Sequence, residues 1–202
     1  MRMFAKVLPR ALAVLAVATV ALGVVYPSIV TLVGQVFFPC QANGSIMVVD
    51  GREVGSELVA QWFDDDAHLW GRPMVADADA FTDSDGDVAF YARPTNLSPS
   101  SEEEATLVSE RVARLEAADP DQDGEAIPVD LVTVSGSGLD PDISPAAAEY
   151  QVSRVAKASG LGEDEVREII SSCTEGRLLG VFGEERVNVL KVNLAIDDAL
   201  GR

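Results

Sequence analysis

Apolar residues fall into one long block and several short periodic ones. From Ala11 to Val49 no charged residue occurs, and Ala11 to Phe38 is the most apolar part of the chain. About 20 apolar residues cross a bilayer core, so this run predicts one transmembrane helix with residues to spare for tilt. Pro27 lies inside it and predicts a kink. A cleaved signal peptide is the rival, since Ala16, Val17 and Ala18 resemble a cleavage site. A signal's apolar region is typically about 7–15 residues, however, and this one continues well past that point, so a retained span is the expectation. The expected layout is a short N-terminus over 1–10, a transmembrane region over 11–38 and one small mixed α/β domain over 39–202, an α/β fold class.

Within the domain the pattern turns short and mixed. A turn over Gln41 to Ser45 leads into a strand from Ile46 to Val49, closed by Asp50-Gly51, and Ser56 is expected to cap a helix from Glu57 to Phe63 with Leu58, Val59 and Trp62 on one face. Residues 64–101 read as a long irregular loop, the kind of segment that carries partner contacts, with Gly71, Arg72, Pro73 and Asn96 as its candidates. A helix follows from Ser100 to Ala118 with Val108, Val112 and Leu115 along one side. The apolar run Val129 to Val134 predicts a buried strand, and Ser135, Gly136, Ser137 and Gly138 a turn, with Asp140 and Asp142 forming local turns beyond it. Ser144 is the expected N-cap, and Pro145 the first residue, of a helix reaching Ala158. Another helix starts at Gly162 to Glu165 and ends by Gly176, and Val187 to Ile196 suggests a closing strand.

Charge divides the chain. The only cations before residue 50 are Arg2, Lys6 and Arg10, whereas all 33 acidic residues lie at Asp50 or beyond, against twelve of the 15 Lys and Arg. So acidic a domain disfavours nucleic acid and anionic lipid heads as partners. Cations on the N-terminal flank alone predict a cytoplasmic N-terminus, an extracytoplasmic domain and a cell-membrane location. Two cysteines, Cys40 and Cys173, make no disulfide framework, and Cys173 continues the stripe of Val166, Ile169 and Ile170 as a small buried hydrophobe. His68 is the single histidine, with no serine motif to serve, so no catalytic residue and no metal site is assigned. Asp83 to Asp87 and the segment from Asp119 to Asp130 have partial calcium-loop spacing, which leaves a stand-alone membrane-anchored binding domain, for calcium, as the alternative function. Gly136 and Gly138 before a helix start suggest an anion site, but Asp140 and Asp142 would repel one.

A set of motifs in fixed order then adds a resemblance. Val24-Val25-Tyr26-Pro27, Gln41-Ala42-Asn43-Gly44-Ser45, Gly55-Ser56, Gly71-Arg72-Pro73 and Asn96-Leu97 lead to the stretch Val132-Thr133-Val134-Ser135-Gly136-Ser137-Gly138-Leu139-Asp140. Ile143-Ser144-Pro145, Gln151, Arg154-Val155-Ala156 and Val187-Asn188-Val189-Leu190 follow. Together they resemble the C subunit of the bacterial Kdp-type potassium-transporting P-type ATPase. The resemblance implies an accessory subunit that does not itself hydrolyse ATP and binds no cofactor tightly. Its implied partners are a channel-like potassium-binding subunit, a P-type ATP-hydrolysing subunit and a very small single-span subunit. The chain agrees in having neither a Walker A pattern nor an Asp-Lys-Thr-Gly motif. The resemblance also implies that the subunit raises the pump's ATP affinity, with Gln151 at the position of a nucleotide contact and Ser135 to Asp140 as a partner or structural turn. One departure is the acidic run Asp83 to Asp87, where the family has glycine and serine.

Overall fold

The computed structural model describes residues 2–76, 90, 91, 93–122 and 124–202. The chain divides into two compact units, Met1–Val54 and Gly55–Arg202.

The first unit is dominated by the apolar block. Helix α1 (Arg2–Val20) runs through a π-helical turn (Ala21–Val25) into α2 (Tyr26–Phe37). The π turn explains itself from the sequence: Pro27 has no N–H to give and its ring crowds the carbonyl of the preceding turn at Gly23, so the helix widens there. Val7–Phe37 has a mean hydropathy of 2.2 with no part of it buried, as a helix facing lipid requires. A short helix α3 (Pro39–Ala42) follows, then the hairpin of β1 (Ile46–Val49) and β2 (Arg52–Ser56), which crosses into the second unit. Asn43 fixes the helix exit: its Nδ2 donates to the Pro39 carbonyl at 2.6 Å, and its amide pairs reciprocally with that of Gln35 at 3.1 and 3.3 Å.

The second unit carries the core. After β3 (Val75–Ala76) and β4 (Phe90–Tyr91), an antiparallel pair, comes α4 (Glu102–Ala118), whose N-cap Ser101 accepts from the Glu104 amide. Three acids in its first turn complement the helix dipole. Then come β5 (Asp142–Ile143), α5 (Pro145–Tyr150), α6 (Val152–Ser159), α7 (Glu163–Ser172), β6 (Thr174–Glu175), β7 (Arg186–Asn188) and α8 (Val189–Ala199). The sheet has order β5-β7-β6, antiparallel throughout, pairing Ile143 with Val187 and Val187 with Thr174. Leu69, Val152, Val155, Val166, Val187, Val192 and Ile196 lie in one continuous core, and Cys173 packs against it as a free thiol. Cys40 is also free, and exposed.

Three expected elements are corrected. Val129 to Val134 is no strand: Val129–Leu131 forms a 3-10 turn, and the carbonyls of Val132, Thr133 and Val134 accept from the guanidinium groups of Arg111 and Arg72 instead of from a neighbouring strand. Glu57 to Phe63 forms no helix, because the Ser56 hydroxyl accepts from Leu58 two residues on, a local turn, and the Ala60 amide donates to the Leu139 carbonyl. Leu58, Val59 and Trp62 are all exposed, so no helix face is buried there. Val192 to Ile196 belongs to α8, since Val189, Val192 and Ile196 are spaced three and four apart and Asn188 caps the helix by accepting from the Lys191 amide. The other expected helices hold, with Gln151 breaking the Pro145–Ala158 run between α5 and α6.

The glycine turn is fixed by a close approach. Gly138 has φ +78°, and a Cβ there would sit 2.5 Å from the backbone nitrogen and oxygen of Arg93; at Gly136 a Cβ would meet nothing within 4 Å. Gly138→Ala is therefore expected to cost about 2–4 kcal/mol, through the positive φ and a clash with backbone that cannot step aside. Gly136→Ala should change stability by less than about 0.5 kcal/mol. Urea midpoints of the two variants check the contrast.

Candidate functional site

Two side-chain amides do the work of a missing strand. The dipeptide Leu69-Trp70 lies in irregular chain, yet both residues are buried. The Asn193 amide of α8 accepts from the Leu69 N–H at 2.8 Å and donates back to the Leu69 carbonyl at 3.0 Å. Gln151, between α5 and α6, does the same for Trp70, at 2.8 and 3.1 Å. Gln151 also donates to the Ala147 carbonyl at 3.1 Å and accepts from Arg154 Nη2 at 2.6 Å, so both lone pairs and both protons of its amide are used. At 1% exposure Gln151 presents no free polar atom to a ligand, and the position expected to touch nucleotide is an interior latch in this structure.

Around the latch, cations stack on indoles. The guanidinium carbons of Arg154 and Arg114 lie over the Trp70 ring at 4.1 and 4.2 Å from its centroid. Arg114 also lies 5.5 Å from the centroid of Trp62. Burial pulls Arg154 down to about 10, which leaves it charged at neutral pH, and its Nη1 donates to the carbonyls of Asp66 and His68. The Trp70 indole N–H donates to the Asp65 carbonyl at 2.8 Å. His68 bridges Asp65, at 2.8 Å from Nδ1, and Asp197, at 3.1 Å from Nε2. Burial pushes the Asp65 carboxyl up, but His68 outweighs it and the group sits below its usual value.

The two groups of candidates that sequence kept apart meet here. Arg72 Nη2 donates to the carbonyls of Thr133 and Val134, and Nη1 lies 3.5 Å from Asp140, so Gly71-Arg72-Pro73 is tied to the turn Ser135, Gly136, Ser137, Gly138 and Asp140. The turn closes on itself, with the Gly138 amide donating to Ser135 Oγ at 3.0 Å and the Leu139 amide to Ser137 Oγ at 3.1 Å. Asn96 stands apart, exposed, with φ +54°, a left-handed conformation that asparagine tolerates better than most residues. Leu69, Trp70, Arg114 and Asn193 were not singled out from sequence. The signal available for Asn193 was a polar residue inside the apolar period of α8.

The calcium-like spacing is otherwise engaged. Asp119, 4% exposed, accepts from Lys157 and from Gln122 at 2.9 Å, and Asp130 accepts from the Ser144 amide at 2.7 Å and from its hydroxyl. Among the described residues no group of three or more His, Cys, Asp or Glu could hold a metal ion, and Asp83 to Asp87 lie outside the described residues. Burial pushes Asp119 up, but hydrogen bonds from Lys157, Gln122 and Ser153 outweigh it and hold the carboxyl below its usual value. At the opposite flank Lys191 ties Glu57 to Glu175, and Arg186 reaches Asp142 and Glu175.

The described residues combine one helix long and apolar enough to cross a membrane with a domain whose buried Gln151 and Asn193 amides hold backbone groups. A family model described as KdpC, K+-transporting ATPase, c chain, matches residues 8–198, and the chain belongs to that family. A relative from Clostridium botulinum (strain Eklund 17B / Type B), named potassium-transporting ATPase KdpC subunit, is 51% identical over 200 residues, covering 99% of this chain and 100% of its own. One of the same name from Clostridium perfringens (strain ATCC 13124) is 51% identical over 195 residues, covering 96% and 98%. Another, from Sorangium cellulosum (strain So ce56), is 49% identical over 189 residues, covering 94% and 96%.

Two outcomes follow. Gln151→Ala leaves the Trp70 N–H and carbonyl and Arg154 short of buried partners, and should cost about 3–5 kcal/mol in chemical denaturation. For Asp119, a folded pKa below the unfolded value means stability that is present above about pH 4 and is lost as pH falls through the folded value. Lys157→Gln should therefore be destabilised at pH 7, and its difference from the wild type should shrink below about pH 4 in thermal melts taken across pH.

Proposed function

We propose that the chain is an accessory, non-hydrolysing subunit of an ATP-driven potassium uptake complex. Its span anchors it, and its domain docks on the extracytoplasmic side beside the potassium entrance of a channel-like subunit. The observation that carries this reading is the family match over residues 8–198. Cations confined to the N-terminal flank support the orientation, and the absence of a Walker A or Asp-Lys-Thr-Gly motif supports the division of labour, with ATP handled by a P-type subunit. A very small single-span subunit completes the expected set. The acidic domain would raise cation concentration near the entrance modestly, an effect screened beyond about 8 Å at physiological salt.

The saturated amide of Gln151 favours a structural role for that residue. Any influence of the subunit on ATP affinity then runs through its contacts with the other subunits. Calcium binding by a stand-alone domain is the less favoured reading, because Lys157 and Ser144 already occupy the carboxylates of Asp119 and Asp130.

Two measurements test the proposal. The affinity-tagged full chain should co-purify from membranes with a multi-span ATPase and a channel-like subunit; recovery of the chain alone would defeat the assembly role. An alkaline phosphatase fused after Arg202 should be active in intact cells, and a fluorescent protein that matures only in the cytoplasm should stay dark there. The reverse pattern would overturn the orientation.

A further inference from the structure

The cavity beside the Trp70 stack is lined by Arg72, Arg111 and Arg114, together with Trp62, Trp70 and Met74, and has a volume of about 130 Å³. No acidic residue is among its described lining. In a chain with 33 acidic residues and 15 Lys and Arg, three arginines around one small cavity run against the overall charge. The geometry points to a binding site for a small oxyanion, a phosphoryl or carboxylate group.

The described carboxylates leave these guanidinium groups under-compensated. Among the described residues Arg72 Nε is buried without a hydrogen-bond partner, and the one carboxylate within 4.0 Å of that side chain, on Asp140, is 3.5 Å from Nη1. Among the described residues neither Arg111 nor Arg114 has a carboxylate within 4.0 Å. Arg111 spends one N–H on the Val132 carbonyl, at 2.7 Å, and burial pulls its pKa down against the pull of Glu104 and Glu110. Guanidinium presents several donors in a planar fork that matches the oxygens of a carboxylate or phosphate. Buried Trp70 and half-buried Met74 give the cavity an apolar wall, so a charge pair against it is screened less than on the open surface. The volume admits one phosphate-sized group, not a nucleotide, whose body exceeds it several-fold on the scale of about 300 Å³ and upward for ligand pockets.

The chain reports on this site by itself, because its two tryptophans both line the cavity. The test titrates the full chain in detergent with phosphate and, separately, with acetate, at constant ionic strength set with chloride, and follows tryptophan emission. A saturable change is expected with at least one of the two probes, and the tighter one identifies the group as phosphoryl or carboxylate. Met74→Glu places a competing carboxylate on the wall while leaving every arginine in place, and should raise the apparent Kd about tenfold or more. Met74→Gln, the uncharged match in shape, should stay within about twofold of the wild type. Should Met74→Glu unfold, Arg72→Gln takes its place, with the anion-dependent rise in melting temperature as the readout and loss of that rise expected. No saturable response to either probe in the wild type, or equal binding by the Glu and Gln variants, would overturn the assignment.

Discussion

A single constraint underlies the domain: the buried dipeptide Leu69-Trp70 must find partners for two N–H groups and two carbonyls where no strand is available. Asn193 takes one pair and Gln151 the other. Because alternate residues of an extended chain point their polar groups to opposite sides, the dipeptide is held between α8 and the α5–α6 break. Such bonds add only about 0.5–1.5 kcal/mol each when made, but a buried group left unpaired costs about 1–3 kcal/mol, so the arrangement tolerates little loosening. Trp70 then carries the two arginine stacks, and Arg154 returns to the carbonyls before it. Irregular chain thereby has its buried backbone groups paired as those of a strand would be.

Local chemistry made part of this legible in the sequence. The apolar span, the turn at Asp50-Gly51, the Ser144 cap and the helix of Val166 to Cys173 all follow from apolar period and local turn and cap residues. Where the account failed, a distant group had taken over a local one. Val129 to Val134 has strand composition, but Arg72 and Arg111 occupy its carbonyls from far along the chain. Ser56 was legible as a cap, yet a cap needs a buried helix face behind it, and Leu58 and Val59 have none. At the candidate site the turn of Ser135 to Gly138 was legible from its glycines, but only Gly138 lies against another backbone. That Arg93 is the segment approaching it, and that Arg72 closes the same turn, depend on contacts no spacing encodes. Gln151 was picked out by resemblance, and its geometry supplies a reason for glutamine there: the site needs two donors and two acceptors in one flat group.

Among the described residues the buried amides are spent on satisfying backbone, and most ion pairs are at least partly exposed, with Asp119 the buried exception. The arginine-lined cavity departs from that pattern, with cationic groups that the fold leaves under-paired. Family membership accounts for the shared motifs, and the clamp gives a physical role to one of their residues, Gln151.

Native-state hydrogen exchange on the full chain addresses the clamp most directly. The amides of Leu69 and Trp70 should exchange as slowly as those of Val155 and Val192 in the core helices, opening only with global unfolding. Exchange as fast as at Leu179, 83% exposed on its hairpin, would show that the dipeptide opens by itself and that the two amides do not hold the domain together.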